Sequence, residues 1–356
     1  MKRKFTRFCS LSLVLMLVFT FAGCSASTPA PDKDSSSTPA VAEKKVYEFS
    51  FALHEPPTST VTAQYEAWAK IVEEKTQGQV IVKVYPSETL GKAKDAVSMV
   101  QQGIADMTWV VIPFFPGQFP ITEVLSMPML GVDSSDTGGK SLVKLYEASP
   151  EMQKEYSKFK VLTFTSSGAQ FITTNNKKVS TLNDLKGLNI RVAGWGPSEL
   201  LKSVGGSPIS MPPPDMYEAS AKGVIDGFVF DWAGIQSSKL YEVSNYALIT
   251  PFAAVPHVII MNKQKWESLP PDLQAIMDEL TGEYFAELIG KGFDQDAVGV
   301  ENFKKLGKEV YTLTPDEEQK WQQEAKKIWQ KWVDENKTNF DSQKVLTTLQ
   351  DILANK

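Results

Sequence analysis

From residue 44 onward the apolar positions switch repeatedly between two spacings. Residues 46–52 and 80–85 alternate apolar and polar side chains, the period of a half-buried strand, while 61–75 between them repeats every three to four residues, the period of a helix, and stops at Gly78. A second helix over 92–102 ends at Gly103, and a strand follows over 104–111. The same order returns further along the chain: strand 188–192, helix 197–204, strand 208–211, helix 215–222 ending at Gly223, strand 224–230. Residues 100–106 (VQQGIAD) echo 220–226 (SAKGVID) at an offset of 120, so one module occurs twice. Strands alternating with helices predict an α/β fold with parallel sheets, and two copies predict two lobes. Ligands of open α/β sheets bind beyond the carboxyl ends of the strands, which puts the aromatic residues after each module, Trp109 with Phe114 and Phe230 with Trp232, at one shared cleft.

The remaining pattern supplies connections. Residues 257–261 read as a crossing strand, and one long helix is predicted from Pro270 or Pro271 to about Lys305. Thr314, Pro315 and Glu317 form a capping box with proline at the first helical position. The helix they open carries Trp321, Ala325, Ile328 and Trp332 on one stripe, a packing face rather than a ligand site.

The N-terminal end has a different character. Lys2, Arg3, Lys4 and Arg7 precede an apolar run over 11–21 that is too short to span a bilayer comfortably, the form of an export signal. The run closes on Phe21, Ala22, Gly23 and Cys24, which resembles the lipobox of bacterial lipoproteins and predicts cleavage before Cys24, acylation of its thiol and attachment to the outer face of the cell membrane. The only other cysteine is Cys9, so the mature chain has neither a disulfide nor a cysteine metal cluster. Residues 24–43, rich in Ser, Thr, Pro and Ala, read as a flexible tether. The leader 1–23 holds four basic residues and no acids, so its removal shifts the formal net charge from −5 to −9, which argues against nucleic acid as a partner.

Charge composition then singles out one residue. Arg191 is the only arginine after the leader, in a chain that otherwise places 32 lysines there. A guanidinium offers a planar fork that matches a carboxylate bidentately, which lysine does poorly, so Arg191 is the candidate anion clamp. Leu188, Ile190 and Val192 alternate with it, which sends Arg191 to the face opposite the core. Residues 193–197 (AGWGP) follow as a strand-to-helix loop where ligands commonly sit, bringing Trp195 into the candidate set. Gly194 and Gly196 do not make a dinucleotide fingerprint, because Glu199 stands where the third glycine would be.

These segments resemble a known family, the extracytoplasmic solute-binding proteins of tripartite ATP-independent (TRAP) transporters of the dicarboxylate-binding (DctP) type. The likeness spans about 47–337 and is carried by residues 184–192 (DLKGLNIRV), 205–208, Met211 with Pro212, 217–219 and 223–227, with Tyr85, Pro86, Leu90, Gly91 and 119–125 in support. It implies a two-lobed, periplasmic-binding-protein-like α/β fold with hinge strands and a long connecting helix, lobe I over about 44–166 and 257–296 and lobe II over about 167–256 and 297–356. It also implies that Arg191 clamps a ligand carboxylate between the lobes, with Met211 nearby, and that small and large membrane subunits receive the ligand. Many members carry a second arginine near Gln170 and Phe171 and an asparagine around 228–231; both are absent here. Some relatives hold an oxo acid through a sodium or calcium ion, for which Asp231 and Glu55 are the candidate oxygen donors.

A cleft with one fixed cation, aromatic walls and no second arginine suits an apolar or aromatic monocarboxylate, such as a 2-oxo or 2-hydroxy acid, with His54 or Gln170 meeting its second oxygen. The candidate ligand set is therefore Arg191, Trp109, Gln170, Phe230, Asp231, Trp232, His54, Trp195 and Met211. The alternatives are a C4-dicarboxylate or sugar acid, or a ligand-sensing lipoprotein without transport. An enzyme is disfavoured: there is no G-x-S-x-G turn, phosphate loop or H-E-x-x-H motif, and His54 and His257 are the only histidines.

Overall fold

The computed structural model describes residues 44–294 and 296–356; the leader, Cys24 and the tether lie outside the described residues. Its strands are β1 (Tyr47–Ala52), β2 (Val80–Tyr85), β3 (Met107–Val111), β4 (Phe159–Ser166), β5 (Gln170–Thr174), β6 (Asn189–Arg191), β7 (Ser207–Ile209), β8 (Gly227–Phe230), β9 (Tyr246–Ala253), β10 (Pro256–Asn262) and β11 (Glu309–Tyr311). They form two sheets, ordered β2-β1-β3-β10-β4 and β11-β9-β5-β8-β6-β7, each the centre of a lobe.

The repeated module appears as one arrangement built twice. β2-β1-β3 and β7-β6-β8 are both parallel, with the first strand of each module in the middle. Beside each lies an antiparallel strand contributed after the chain has crossed: β10 pairs antiparallel with β3 and β4, and β5 with β8 and β9. The sheets are thus mixed rather than parallel throughout, because alternation in sequence cannot report strands that join a sheet from the other half. The two crossings, β4 to β5 and β9 to β10, are tied together: Ser167 donates its amide to the Val255 carbonyl at 2.9 Å, and Val255 donates its own to Ser167 Oγ at 3.0 Å.

One apolar core underlies both sheets, joining Val110, Val258 and Ile260 to Ile172, Ile190, Val229 and Leu248. The helix Pro315–Asn336 packs into it through Trp321, Ala325, Ile328 and Trp332, all buried, while Trp329 donates its indole N–H to the Pro128 carbonyl at 2.8 Å. The final helix, Ser342–Ala354, packs against Ser135–Ala148. Separate clusters cover the far sides: Tyr65, Trp68 and Phe285 on the first sheet, Phe228, Trp232 and Phe303 on the second.

The single helix expected from Pro271 to Lys305 is instead three, Pro271–Glu279, Gly282–Phe293 and Asp296–Lys305. Gly282 takes φ +59°, a left-handed conformation no helix interior holds, and Asp294 leaves the helical region to accept the amides of Ser135 and Asp136 at 2.7 and 3.2 Å. The middle helix lies on the first sheet and the third reaches the second, so the connection between lobes survives in segmented form.

Gly227 opens β8 where a Cβ would lie 2.4 Å from the Thr173 carbonyl and 2.8 Å from Thr174 Cγ2. Gly227→Ala forces β8 away from β5 and should cost about 2 to 3 kcal/mol, the upper range for overpacking, as read from urea denaturation. A loss below about 0.5 kcal/mol would show that β5 yields freely.

Candidate functional site

Arg191 ends β6, between β7 and β8, with Ile190 and Val192 packed in the core on either side of it in sequence. The alternation therefore does what the pattern requires and turns Arg191 off the core face. Its side chain is only 3% exposed. Nε donates to the Met211 carbonyl at 3.1 Å and Nη1 to the Val229 carbonyl at 3.4 Å, while the guanidinium carbon sits 5.2 Å from the centre of the Phe230 ring. Among the described residues no carboxylate comes within the 4.0 Å of an ion pair. Burial brings the guanidinium down to about 10, and the nearby Asp231 carboxylate opposes that fall, so it keeps its charge at neutral pH. A buried cation held by two carbonyls and one aromatic face has donor capacity left over for an anion.

Asp231 is 4% exposed and accepts the Gly234 amide at 2.8 Å as N-cap of the helix Trp232–Ser237. Burial raises its pKa against the lowering pull of Gly234 and Arg191. Glu55, in the loop after β1, is raised by burial and then by Asp231, which places the first lobe's loop within electrostatic reach of the second lobe's strand end. His54 beside it is lowered to about 4 by burial, against the opposing pull of Glu88, so its 3.7 Å approach to Glu55 is a contact of an uncharged imidazole rather than an ion pair. The His54 ring stacks on Trp109 at 4.3 Å and 17°, and Phe114 lies 6.3 Å from it. Gln170, first residue of β5, is 1% exposed, and its Oε1 has no hydrogen-bond partner among the described residues.

These positions bring Arg191, Phe230, Asp231 and the Met211 carbonyl together on the second lobe, and His54, Glu55, Trp109 and Phe114 on the first. Two other expected residues sit elsewhere. Trp232 is fully buried in the outer core of the second sheet, against Phe171, Phe303 and Gly299, because the helix it begins turns away from the strand end. Trp195 opens the helix Trp195–Ser203, packs on the shared core and lies 5.8 Å from Lys331 Nζ. Its loop is shaped by packing: a Cβ on Gly196 would lie 2.9 Å from the Ser126 carbonyl. Glu123, within the 119–125 segment that supports the family resemblance but given no role there, accepts the Trp195 amide at 3.1 Å and fastens that loop to the first lobe. Among the described residues no three His, Cys, Asp or Glu side chains come together as metal ligands, and Asp231 is already engaged as a helix cap.

No helix among the described residues is long and apolar enough to cross a membrane. Over residues 51–336 the chain matches the bacterial extracellular solute-binding protein family 7, DctP. It is 29% identical over 263 residues to the 2,3-diketo-L-gulonate-binding periplasmic protein YiaO of Escherichia coli K12, covering 72% of this chain and 79% of that one. Its fold is similar to a TRAP solute-binding protein of Rhodoferax ferrireducens T118 in complex with copurified benzoate, with TM-score 0.80 at 25% identity over 87% of this chain and 98% of the other. It is also similar to a TRAP periplasmic solute-binding protein of Bordetella bronchiseptica with bound (R)- and (S)-mandelate, with TM-score 0.79 at 26% identity over 86% and 99%. Two lobes of mixed sheet, crossed by paired strands and carrying a buried arginine at a strand end, accord with that match: the chain belongs to the DctP family of TRAP transporter solute-binding proteins, which bind small molecules outside the cytoplasm and work with membrane subunits.

Proposed function

We propose that this protein captures a small monocarboxylic acid with an apolar or aromatic body between its lobes and delivers it to the membrane subunits of a TRAP transporter. The observation that carries this reading is the buried Arg191 guanidinium, which has a Phe230 ring beside it and no carboxylate in ion-pair range among the described residues. The ligand carboxylate supplies the missing counter-ion, Phe230 and Phe114 flank the ligand body, and Gln170 meets a 2-oxo or 2-hydroxy oxygen. A dicarboxylate needs a second strong cation, yet no second arginine follows the leader and both histidines are driven toward the neutral form by burial. Benzoate and mandelate, bound by the two similar solved proteins, fit this class. 2,3-Diketo-L-gulonate, in the name of the similar Escherichia coli protein, marks the competing sugar-acid reading.

A thermal-shift screen separates the two. At a hundredfold excess over its dissociation constant the right acid adds about 2.7 kcal/mol, a rise of roughly 5 °C for a chain of this length. Phenylpyruvate, mandelate, benzoylformate or a branched oxo acid should produce that rise. If only succinate, malate or a sugar acid does, the monocarboxylate assignment is wrong.

Arg191→Ala should weaken binding of the responding acid by about 10² to 10⁴, or 3 to 5 kcal/mol, because it leaves a buried anion without its partner. Arg191→Lys should also lose affinity, since a point charge cannot reproduce the fork. Calorimetric titration measures both, and near-native affinity in Arg191→Ala rules out the clamp.

We further propose that the mature protein begins at Cys24 and is held on the membrane by lipid, on the strength of residues 21–24 and the polar segment after them. Mass spectrometry of the native N-terminus should find acyl mass on Cys24; a mature chain beginning elsewhere excludes the anchor.

A further inference from the structure

Among the described residues, the buried polar atoms without a hydrogen-bond partner include four from the first lobe that lie together: Trp109 Nε1, Tyr65 Oη, Thr165 Oγ1 and His257 Nδ1. Their residues are 3%, 0%, 1% and 4% exposed. They are neighbours. The Trp109 ring meets His257 edge-on at 4.9 Å and lies 5.8 Å from the Tyr65 ring. His257 and Thr165 face each other in the β10–β4 register, and the Tyr65 and Thr165 side chains lie close enough to interact. A buried polar atom without a partner is unfavourable, and folded proteins leave only a few per hundred residues. Four gathered on three adjacent strands and the helix over them point to an occupant from outside the chain.

The group is coupled to the Arg191 site through the loop after β1, by ring and side-chain contacts first and by electrostatic influence beyond them. His54 stacks on Trp109, Glu55 lies 3.7 Å from His54, Glu55 is within reach of Asp231, and Asp231 of Arg191. No member of the group carries charge at neutral pH. The indole is a donor only, each hydroxyl can donate or accept, and burial, reinforced by His54, holds the His257 imidazole neutral. The titratable groups that bear on it, Glu55 on Tyr65 and His54 on His257, both sit on the loop after β1. An uncharged set of donors and acceptors cannot compensate a second carboxylate, and a plain hydrocarbon would leave it unsatisfied.

We infer that Trp109, Tyr65, Thr165 and His257 form a second, uncharged subsite that receives a hydroxyl or carbonyl oxygen at the end of the ligand remote from its carboxylate. This rests on the proposed role of Arg191 and narrows its ligand class to monocarboxylic acids bearing a neutral oxygen across an apolar spacer. A site built to hydrogen-bond a hydroxyl discriminates strongly against the analogue without one, because its polar atoms are then left unpaired.

The test compares 3- and 4-hydroxyphenylacetate with phenylacetate and with the diacid 4-carboxyphenylacetate by calorimetric titration of the full mature chain. At least one hydroxylated acid should bind ten times or more tighter than phenylacetate, and the diacid should bind more weakly than either. Tyr65→Phe and Thr165→Val, which each remove one hydroxyl at nearly constant volume, should shrink the hydroxyl preference to about threefold or less. If phenylacetate and its hydroxylated forms bind alike in the native protein while Arg191→Ala still abolishes binding, the four atoms are satisfied by buried water only; the subsite is then wrong and the clamp stands. A hydroxyl preference untouched by both substitutions also overturns the subsite. If no acid binds, or binding survives in Arg191→Ala, the clamp itself fails and the subsite with it.

Discussion

A guanidinium taken out of water with no carboxylate in ion-pair range among the described residues is the constraint around which the second lobe is built. Isolating such a charge is expensive, and two carbonyl acceptors with one aromatic face offset only part of that cost. The strand arrangement supplies those partners. β6 lies between β7 and β8, so the backbone just beyond β7 and within β8 presents Met211 and Val229 carbonyls to the same side chain. Asp231, one residue past β8, is near enough to be felt, yet its carboxylate is committed to the helix that follows. The protein thus keeps its cation charged and fixed without neutralising it.

The first lobe is the electrostatic opposite. Its loop after β1 brings Glu55 and His54 toward Arg191, and burial pushes both toward their neutral forms, the acid upward and the imidazole down to about 4. One wall of the candidate site is a fixed positive charge; the other is aromatic, with an uncharged imidazole and a carboxyl whose ionised form burial disfavours.

Much of this was legible in the sequence, for identifiable reasons. The duplicated module was visible because its glycine-ended helices and short apolar strands recur at a constant offset, and the direction of Arg191 followed from its alternation with Ile190 and Val192. The mixed character of the sheets was not visible, since β5 and β10 enter each sheet by long-range pairing that local periodicity does not encode. The break at Gly282 was hidden because one glycine inside an apolar repeat reads the same whether it packs or turns. Trp232 and Phe230 looked alike as aromatic residues two apart, but Asp231 begins a helix between them and carries Trp232 into the core. Tyr65 and His257 gave no signal, one lying on an ordinary helix stripe and the other at the edge of an apolar strand.

The order of strands in the first sheet has a consequence for how the chain reaches its native state. β3 and β4 are not neighbours; β10, made long after both, lies between them. Until residues 256–262 arrive, the first half of the chain can pair β1, β2 and β3 but leaves a raw edge on β3 and β4 with no place to dock, and β5 likewise waits on β8 and β9. Neither lobe is therefore a self-sufficient folding unit, and acquisition of structure is governed by contacts of large sequence separation, the slow regime of chain topology. A nascent chain interrupted before β10 would present open strand edges, the surfaces most prone to intermolecular pairing. An architecture assembled this way favours a chain released whole before it folds over one that folds segment by segment.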